Sequence, residues 1–316
     1  MKFRTIVEIK KSKADISYRD NMMMFGSCFV ENIGEKLREL KFRIDVNPFG
    51  VLYNPESIRK SIVRLLDRRI FVETDVFERD GVWNSFCHHS RFAALSASGF
   101  LEQANRTLLE SADRLEDSTV LFLTFGTAWV YRLKSTGEVV SNCHKLPASL
   151  FVRERLEIEY IVSSYRELIS ALLERRTKLL IVFTVSPIRH WKDGAHENQI
   201  SKATLMLAME RLQALFPETV SCFPAYEIVM DELRDYRFYA EDMLHPSDMA
   251  IQYIWERFSE TYFSEETRQT AAEVAKLMSA LRHRPFNPQS ESFEKFEIQT
   301  KARIAAFHKK NPQIDF

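Results

Sequence analysis

An α/β fold in three layers is predicted for this chain of 316 residues, with helices covering both faces of a five-stranded, mostly parallel sheet. Short apolar runs alternate along the chain with longer segments of helical period, which is typical of parallel strands joined by crossover helices. Five such runs are present, and the flavodoxin-like strand order 2-1-3-4-5 is the arrangement we expect for them. In such a sheet, ligands bind at the carboxyl ends of the strands.

The first half of the chain contains three of the five predicted strands, at residues 22–25, 42–46 and 119–125. Helices are predicted at residues 29–40, 55–66 and 100–115, because apolar residues recur there at helical spacing and Pro55 suits a first helical turn. Residues 71–91 are predicted to be irregular. Residues 129–133 and 138–141 flank Lys-Ser-Thr-Gly and are predicted to form a hairpin.

The second half supplies the last two strands, at residues 178–185 and 219–223. Helices are predicted at residues 155–176, 198–216 and 248–263. From residue 264 onward the chain is charged and of helical character, with a break at residues 283–290. We therefore predict an α/β domain over residues 1–263 and a C-terminal helical extension over residues 264–316, which is a candidate homodimer contact.

Composition narrows the class of protein. Lys and Arg together number 44, as do Asp and Glu, so the formal net charge is zero and a nucleic-acid binder that works through bulk charge is not expected. No apolar run approaches the length of a membrane span, and the N-terminus lacks the apolar region of a secretory leader. These features predict a cytoplasmic protein without a membrane partner. The four cysteines form no Cys-x-x-Cys pair.

A candidate nucleophile, Ser27, lies where the first predicted strand turns into a helix. Its hydroxyl can project above the sheet, and the N–H groups of a helix N-terminus point at a developing oxyanion. The simpler interpretation is an ordinary N-cap serine. The neighbouring Cys28 is expected to be a small buried packing residue, and Cys143 is a less favoured thiol nucleophile.

A candidate acid–base pair, Asp242 and His245, lies about two hundred residues later in the run Glu-Asp-Met-Leu-His-Pro. His245 would take the proton of Ser27 as general base, and Asp242 would hold the imidazole. The simpler interpretation is a capping aspartate beside a surface histidine. Because a triad is defined by geometry, the chain order Ser, Asp, His is one of several that can build it.

Further residues are candidates for the oxyanion hole or the substrate cleft. Gly50 could offer a backbone N–H, and Gly126 permits close approach of a ligand or of backbone. Polar side chains with candidate roles follow the hairpin and the fourth strand: Asn142, His144, Arg189, His190 and Trp191. Trp191 is expected to stack on a sugar or an acyl group. A zinc site built on His88, His89, His144 and His190 is a competing idea, but no pair has the spacing of His-Glu-x-x-His, so no metal and no cofactor are predicted.

Six segments resemble, in the right order, the GSCFA domain family, a bacterial group similar to the SGNH (GDSL-like) hydrolases. They lie within residues 20–262: Phe-Gly-Ser-Cys-Phe at 25–29, Asn-Pro-Phe-Gly at 47–50, and matching runs at 125–131, 142–145, 186–191 and 242–246. The fifth letter of the signature is Val30 here instead of alanine. The wider SGNH resemblance implies a serine esterase or O-acyltransferase on a flavodoxin-like sheet, and it supplies no substrate. A small-molecule or carbohydrate ester, such as an O-acetyl group, is our leading hypothesis for the substrate. The resemblance assigns the nucleophile to Ser27, the acid–base pair to Asp242 and His245, and the oxyanion glycine to Gly50.

One block departs from the wider SGNH pattern. Those enzymes carry Gly-x-Asn-Asp after the third strand, whereas this chain has Gly126-Thr-Ala-Trp129 and lacks the asparagine donor. Asn142 or His144 is the expected replacement. The missing donor also motivates an alternative from another class, a carbohydrate- or ligand-binding module that kept the fold and lost the chemistry.

Overall fold

The computed structural model describes residues 4–13, 15–176, 178–287 and 289–316. Residues 1–3, which belong to the N-terminal segment that was compared above with a secretory leader, lie outside this description. So does residue 288, within the predicted break between the last two helices.

The strands and helices follow the predicted order closely. The first half contains β1 (Asn21–Gly26), α1 (Cys28–Glu39), β2 (Arg43–Val46), α2 (Pro55–Leu66), β3 (Phe77–Arg79), β4 (Val82–Asn84), α3 (Ala97–Asp117), β5 (Val120–Phe125), β6 (Trp129–Leu133) and β7 (Val139–Val140). The second half contains β8 (Phe151–Arg155), α4 (Ile158–Arg175), β9 (Leu180–Val185), α5 (Gly194–Leu215), β10 (Val220–Phe223), α6 (Ala225–Glu227), α7 (Asp248–Tyr262), α8 (Glu265–Leu281) and α9 (Glu291–Lys310). A π-helical turn continues α6.

The central sheet has five parallel strands in the order β10-β9-β5-β1-β2. Numbered along the chain, this is the predicted order 2-1-3-4-5, and the predicted fold class is confirmed. Alternate residues of β1 face opposite sides: Met23 and Phe25 belong to one hydrophobic cluster, and Met22 and Met24 to the other. The run is apolar throughout because helices cover both faces of the sheet.

Helices α2, α3, α4 and α5 pack on one face, and α1 and α7 pack on the other. The two C-terminal helices complete this second cluster, to which α8 contributes Val274 and Leu277 and α9 contributes Phe307, all nearly inaccessible to solvent. None of the described helices is long and apolar enough to cross a membrane.

Two small antiparallel sheets contain strands that were not predicted. The segment predicted to be irregular contains the short pair β3 and β4. The predicted hairpin is present as β6 and β7, and β8 adds a third strand along the other edge of β6. We did not predict β8 because its sequence, Phe-Val-Arg-Glu-Arg, is short and charged, as exposed edge strands commonly are.

Candidate active site

A cavity of about 710 Å³ opens at the carboxyl ends of β1, β5 and β9. Of the ten candidate residues, five line it: Ser27, Asn142, Arg189, His190 and His245. Aromatic rings form much of the remaining wall, from Tyr53, Trp129, Tyr131 and Phe151. The loops after three neighbouring strands therefore converge on one site, as expected for a doubly wound sheet.

Ser27 occupies the N-cap position of α1, directly after β1, but its side chain makes no capping hydrogen bond. The residue is only 2% exposed, and Oγ has no hydrogen-bond partner among the described residues. A buried hydroxyl without a partner costs free energy, and ordinary N-cap serines avoid that cost by accepting an N–H of the first turn. The interpretation of Ser27 as a simple cap is therefore wrong.

The end of β1 is held in place from the neighbouring loop. Asn47 has positive φ and accepts the Gly26 N–H on Oδ1 at 2.9 Å, and Leu52 donates its N–H to the Gly26 carbonyl at 2.9 Å. These two bonds fix the backbone immediately before Ser27. The nucleophile candidate thus stands on a rigid strand end, where a small displacement would be costly.

Cys28 packs against the second hydrophobic cluster, as expected, but it is less buried than expected and also lines the cavity. It is half-buried, and its Sγ lies 3.6 Å from the hydroxyl oxygen of Tyr53. Burial and the neighbouring Cys28 raise the pKa of Tyr53, so this phenol stays protonated at neutral pH. Cys143 also lines the cavity, and burial raises the pKa of its thiol, which does not favour a thiolate nucleophile.

Asp242 and His245 form a pair in the loop that leads into α7. Asp242 Oδ1 accepts the backbone N–H groups of Leu244 at 3.0 Å and His245 at 2.9 Å, and Oδ2 lies 2.5 Å from His245 Nδ1. Because a carboxylate only accepts, Nδ1 carries the proton and Nε2 of the neutral ring is free to act as a base. The same donors, the backbone N–H of His245 first, lower the pKa of Asp242 to about 2.

Ser27 and His245 line the same cavity. No hydrogen bond joins Ser27 Oγ to the imidazole in the described chain, and the His245 side chain is 45% exposed. Catalytic hydrogen bonds are often long before substrate binds and tighten in the complex. The structure thus brings Ser27 and His245 to one cavity and shows no hydrogen bond between them.

The role expected of Gly50 needs correction. Gly50 has φ of 81°, and its N–H donates to the carbonyl of Asn47 at 2.7 Å, which closes a tight turn. A Cβ here would lie 2.2 Å from the Cβ of His89. The glycine is therefore required by backbone conformation and close packing, and its N–H is not free to bind an oxyanion.

Gly126 is likewise committed to backbone packing. Its N–H and that of Thr127 both donate to the carbonyl of Tyr53, at 2.8 and 2.9 Å. A Cβ at this position would lie 3.0 Å from that carbonyl oxygen and 3.1 Å from His190 Nε2. The expected close approach is made by protein backbone, and Gly126 supplies no free donor to the cavity.

Asn142 lines the cavity and has an unused amide donor. Its Oδ1 accepts the backbone N–H of His144 at 2.8 Å, so the amide is fixed with Nδ2 as the opposite end. Nδ2 has no partner among the described residues, and Asn142 lines the cavity that contains Ser27. Of the two replacements considered for the missing asparagine, Asn142 is the one that lines this cavity and keeps an unused N–H donor.

His144 does not reach the cavity, which corrects the expectation for this residue. Its Nε2 lies 2.8 Å from the carbonyl of Ser85, and its ring contacts Phe77 and Phe86. Because a carbonyl only accepts, Nε2 must carry a proton that is already used. Burial lowers the pKa of His144, so a neutral, structural imidazole fits this position.

The loop after β9 divides its side chains between two cavities. His190 lines the first cavity, where burial, followed by Lys202, lowers its pKa to about 4 and keeps the ring neutral. Trp191 instead lines a neighbouring cavity of about 530 Å³, together with Asp242. Arg189 lines both. The expected stacking of Trp191 on a substrate next to Ser27 is thus not supported by its placement.

The four histidines considered for a zinc site have different surroundings. His88 is buried among Phe49, Phe71, Phe92 and Phe100, and burial lowers its pKa to about 3. His89 Nδ1 accepts the N–H of Arg91. In the described parts of the chain, no group of three or more potential ligand side chains is arranged to hold a metal ion.

Lys202 is an important residue that the sequence analysis missed. It is completely buried in α5, and its Nζ donates to the carbonyls of Gly126 at 2.7 Å, Ser186 at 2.7 Å and Ile188 at 2.9 Å. One amino group therefore ties together the chain segments that follow β5 and β9. A signal was present, since Lys202 lies on the same helical stripe as Leu205, Met209 and Leu212.

The comparisons with known proteins agree with the resemblance described above. The GSCFA family matches residues 21–258, and the C-terminal domain of GSCFA domain proteins matches residues 274–316. The chain belongs to the GSCFA family. The six-segment resemblance is thereby confirmed, and this GSCFA chain carries both regions of the family.

Two solved structures resemble this GSCFA chain weakly. One is a carbohydrate esterase of family 3 from Talaromyces cellulolyticus, with 9% identity and a TM-score of 0.36 over 80% of this chain and 99% of that one. The other is an acetyl xylan esterase from the rumen bacterium Butyrivibrio proteoclasticus, with 10% identity and a TM-score of 0.38 over 77% of this chain and 63% of that one. This chain thus spans less than two thirds of the second esterase. No curated protein matches the chain.

Proposed function

We propose that this protein is a serine hydrolase or O-acyltransferase that acts on an ester, with an O-acetyl group on a carbohydrate as one substrate class. Ser27 is the nucleophile, His245 the general base and Asp242 the group that orients the imidazole. The observation that carries this proposal is the unused hydroxyl of Ser27, an N-cap serine without a capping bond, in the cavity that His245 also lines.

The reaction proceeds in two steps. Ser27 Oγ attacks the acyl carbon while His245 Nε2 takes the hydroxyl proton, and the same imidazole then protonates the departing alcohol oxygen. Water or a second hydroxyl attacks the acyl-serine, and His245 again accepts and returns the proton. Asp242 remains a carboxylate throughout, as its pKa of about 2 requires, and stabilises the imidazolium that forms in each step.

The developing oxyanion needs donors other than Gly50 and Gly126. The N–H groups of Cys28 and Phe29 at the start of α1 have no carbonyl acceptor in the described structure, whereas that of Val30 donates to the Ser27 carbonyl at 2.9 Å. The helix dipole favours negative charge at this end. The Asn142 amide supplies a second donor through Nδ2. This pair takes the place of the Gly-x-Asn-Asp asparagine that the chain lacks.

A fluorophosphonate probe followed by peptide mapping tests the proposed nucleophile. We expect one adduct on Ser27 in the wild type and none in His245→Ala, because only an activated serine reacts readily with such probes. Ser27→Ala serves as the site control, and thermal unfolding confirms that each variant is folded. A folded wild type that forms no adduct, or an adduct on another serine, would favour the ligand-binding module.

Replacing Asn142 tests the proposed oxyanion donor. Asn142→Ala is expected to lower kcat for an acetate ester by about 100- to 1,000-fold, with a small change in KM, because an oxyanion donor acts mainly in the transition state. Asn142→Asp is the matched variant, since its carboxylate can still accept the His144 N–H but can no longer donate. Near wild-type kcat in Asn142→Asp would assign Asn142 to loop structure alone.

A further inference from the structure

We propose that the substrate of this cavity carries a negatively charged group, a carboxylate or a phosphate, which the basic side chains of the cavity wall bind. The inference deepens the proposed function, because it concerns the cavity that contains Ser27 and His245. It rests on a different observation, namely the charges of the wall and their partners.

The cavity wall is strongly basic in a chain whose total charge is zero. Its cationic side chains are Lys145, Arg153, Arg189 and Lys192, whereas Asp193 is its only acidic one within the described residues. Asp193 pairs with Arg153, so neither charge is left for a ligand. Three cations of the wall thus remain without an acidic partner in the described chain.

Arg189 is the informative member of this set. Lys145 and Lys192 are exposed, and water can solvate an exposed ammonium without any partner. Arg189 is half-buried, its guanidinium lies over the ring of Trp191, and its buried Nε has no hydrogen-bond partner. A partly desolvated guanidinium without a carboxylate is unfavourable, and a bound anion would remove that cost.

The position of Arg189 also fits a role in substrate binding. It lines both the cavity of Ser27 and the neighbouring cavity that contains Asp242, so it lies beside the catalytic candidates without belonging to them. Lys192, three residues later in the same loop, holds its Nζ 3.2 Å from the hydroxyl of Tyr131 on the opposing small sheet. An anion in this region would contact the planar guanidinium of Arg189 and the ammonium group of Lys192.

The chemistry of the partner follows from these donors. A guanidinium binds planar carboxylate or tetrahedral phosphate oxygens through paired N–H groups, and it gives no such advantage to a neutral sugar. The substrate class is therefore an ester of an acidic sugar or of a phosphorylated molecule. An unmodified neutral glycan ester would leave the three unpaired cations unused.

Calorimetric titration of the Ser27→Ala protein tests the inference without any turnover. The probes are glucose, glucuronic acid and glucose 6-phosphate, which share one ring and differ in charge. At least one anion is expected to bind about tenfold or more tightly than glucose, as one charge-assisted hydrogen bond permits, and less tightly as salt rises. Whichever of the two anions binds more tightly shows whether the charged group of the substrate is a carboxylate or a phosphate.

Three variants locate the binding charge. Arg189→Gln is expected to remove the preference for the anion, and Lys192→Gln, an exposed change that leaves folding intact, is expected to reduce it. Lys276→Gln on the exposed face of α8 is the matched control and should change nothing. Equal or absent binding of the three probes, or an anion preference that survives both cavity variants, would overturn the inference.

The fluorophosphonate experiment is independent of the calorimetric titration. A failure of the proposed nucleophile can therefore be told from a failure of the proposed anion binding.

Discussion

Ser27→Ala is expected to lower kcat for an activated acetate ester by at least about a thousandfold, because the nucleophile is lost and only the oxyanion donors and substrate binding remain. The midpoint of thermal unfolding should stay unchanged. Ser27 Oγ makes no hydrogen bond in the described structure, so its removal breaks none. Steady-state kinetics and thermal melts of the purified variant measure the two quantities.

The matched control is Ser264→Ala, another N-cap serine. Ser264 Oγ does cap its helix, accepting the Thr267 N–H at 3.1 Å, so this variant should lose about 0.5–2 kcal/mol of stability and keep its activity. His245→Ala should lose as much activity as Ser27→Ala, and the double variant should lose no more, since the two residues act as a unit. Additive losses in the double variant would contradict a shared catalytic step.

The sequence predicted the sheet and the catalytic candidates because their signals are local. Each central strand is buried on both faces and is therefore a short apolar run, and the helices between them show their period directly. Ser27 and the Asp242–His245 pair each lie at an element boundary, which places them at the carboxyl edge once the parallel sheet is assumed. Their contribution to catalysis remains a prediction, as do the domain boundary and the possible dimer.

The roles of the glycines and of His144 could not be predicted in the same way. Whether Gly50 and Gly126 have free N–H groups depends on a tight turn and on the distant carbonyl of Tyr53, neither of which leaves a pattern in the sequence. His144 does not face the cavity because its ring binds the carbonyl of Ser85, 59 residues earlier in the chain. Sequence spacing brings such residues near a site, whereas long-range contacts decide which of their atoms face it.

Lys202 is a residue whose burial the sequence indicates but whose hydrogen-bond partners it does not. Its hydrophobic neighbours on α5 identify a lysine on a buried stripe, but its three acceptors lie 76, 16 and 14 residues away. A buried amino group is costly unless its N–H donors are used, and Nζ has three carbonyl acceptors within hydrogen-bond distance. The structure therefore assigns Lys202 a positioning role: it holds the segments after β5 and β9 that form part of the cavity wall.

Lys202→Met is expected to lower the free energy of unfolding by about 2–4 kcal/mol. Each carbonyl that loses its donor costs about 1–3 kcal/mol of stability. The variant no longer buries an ionisable group, which offsets part of this loss. Activity should fall as well, since the segments around Gly126 and Ser186 are no longer tied together. Chemical denaturation measures the first effect, and Lys276→Met, the same change at an exposed helical site, should stay within about 0.5 kcal/mol of wild type.

The pH dependence of this difference gives a second, independent expectation. Burial, followed by the nearby Arg189, lowers the pKa of Lys202 from 10.5 to about 7. Between these two values the unfolded chain holds a proton that the folded chain has released, so the stability of the wild type relative to Lys202→Met should rise with pH across this window and level off outside it. Unfolding measured at pH 6 and pH 9 tests the sign. A flat difference would mean that the three carbonyls keep the ammonium charged in the folded protein, and Lys202 would then be a permanent cation beneath the cavity.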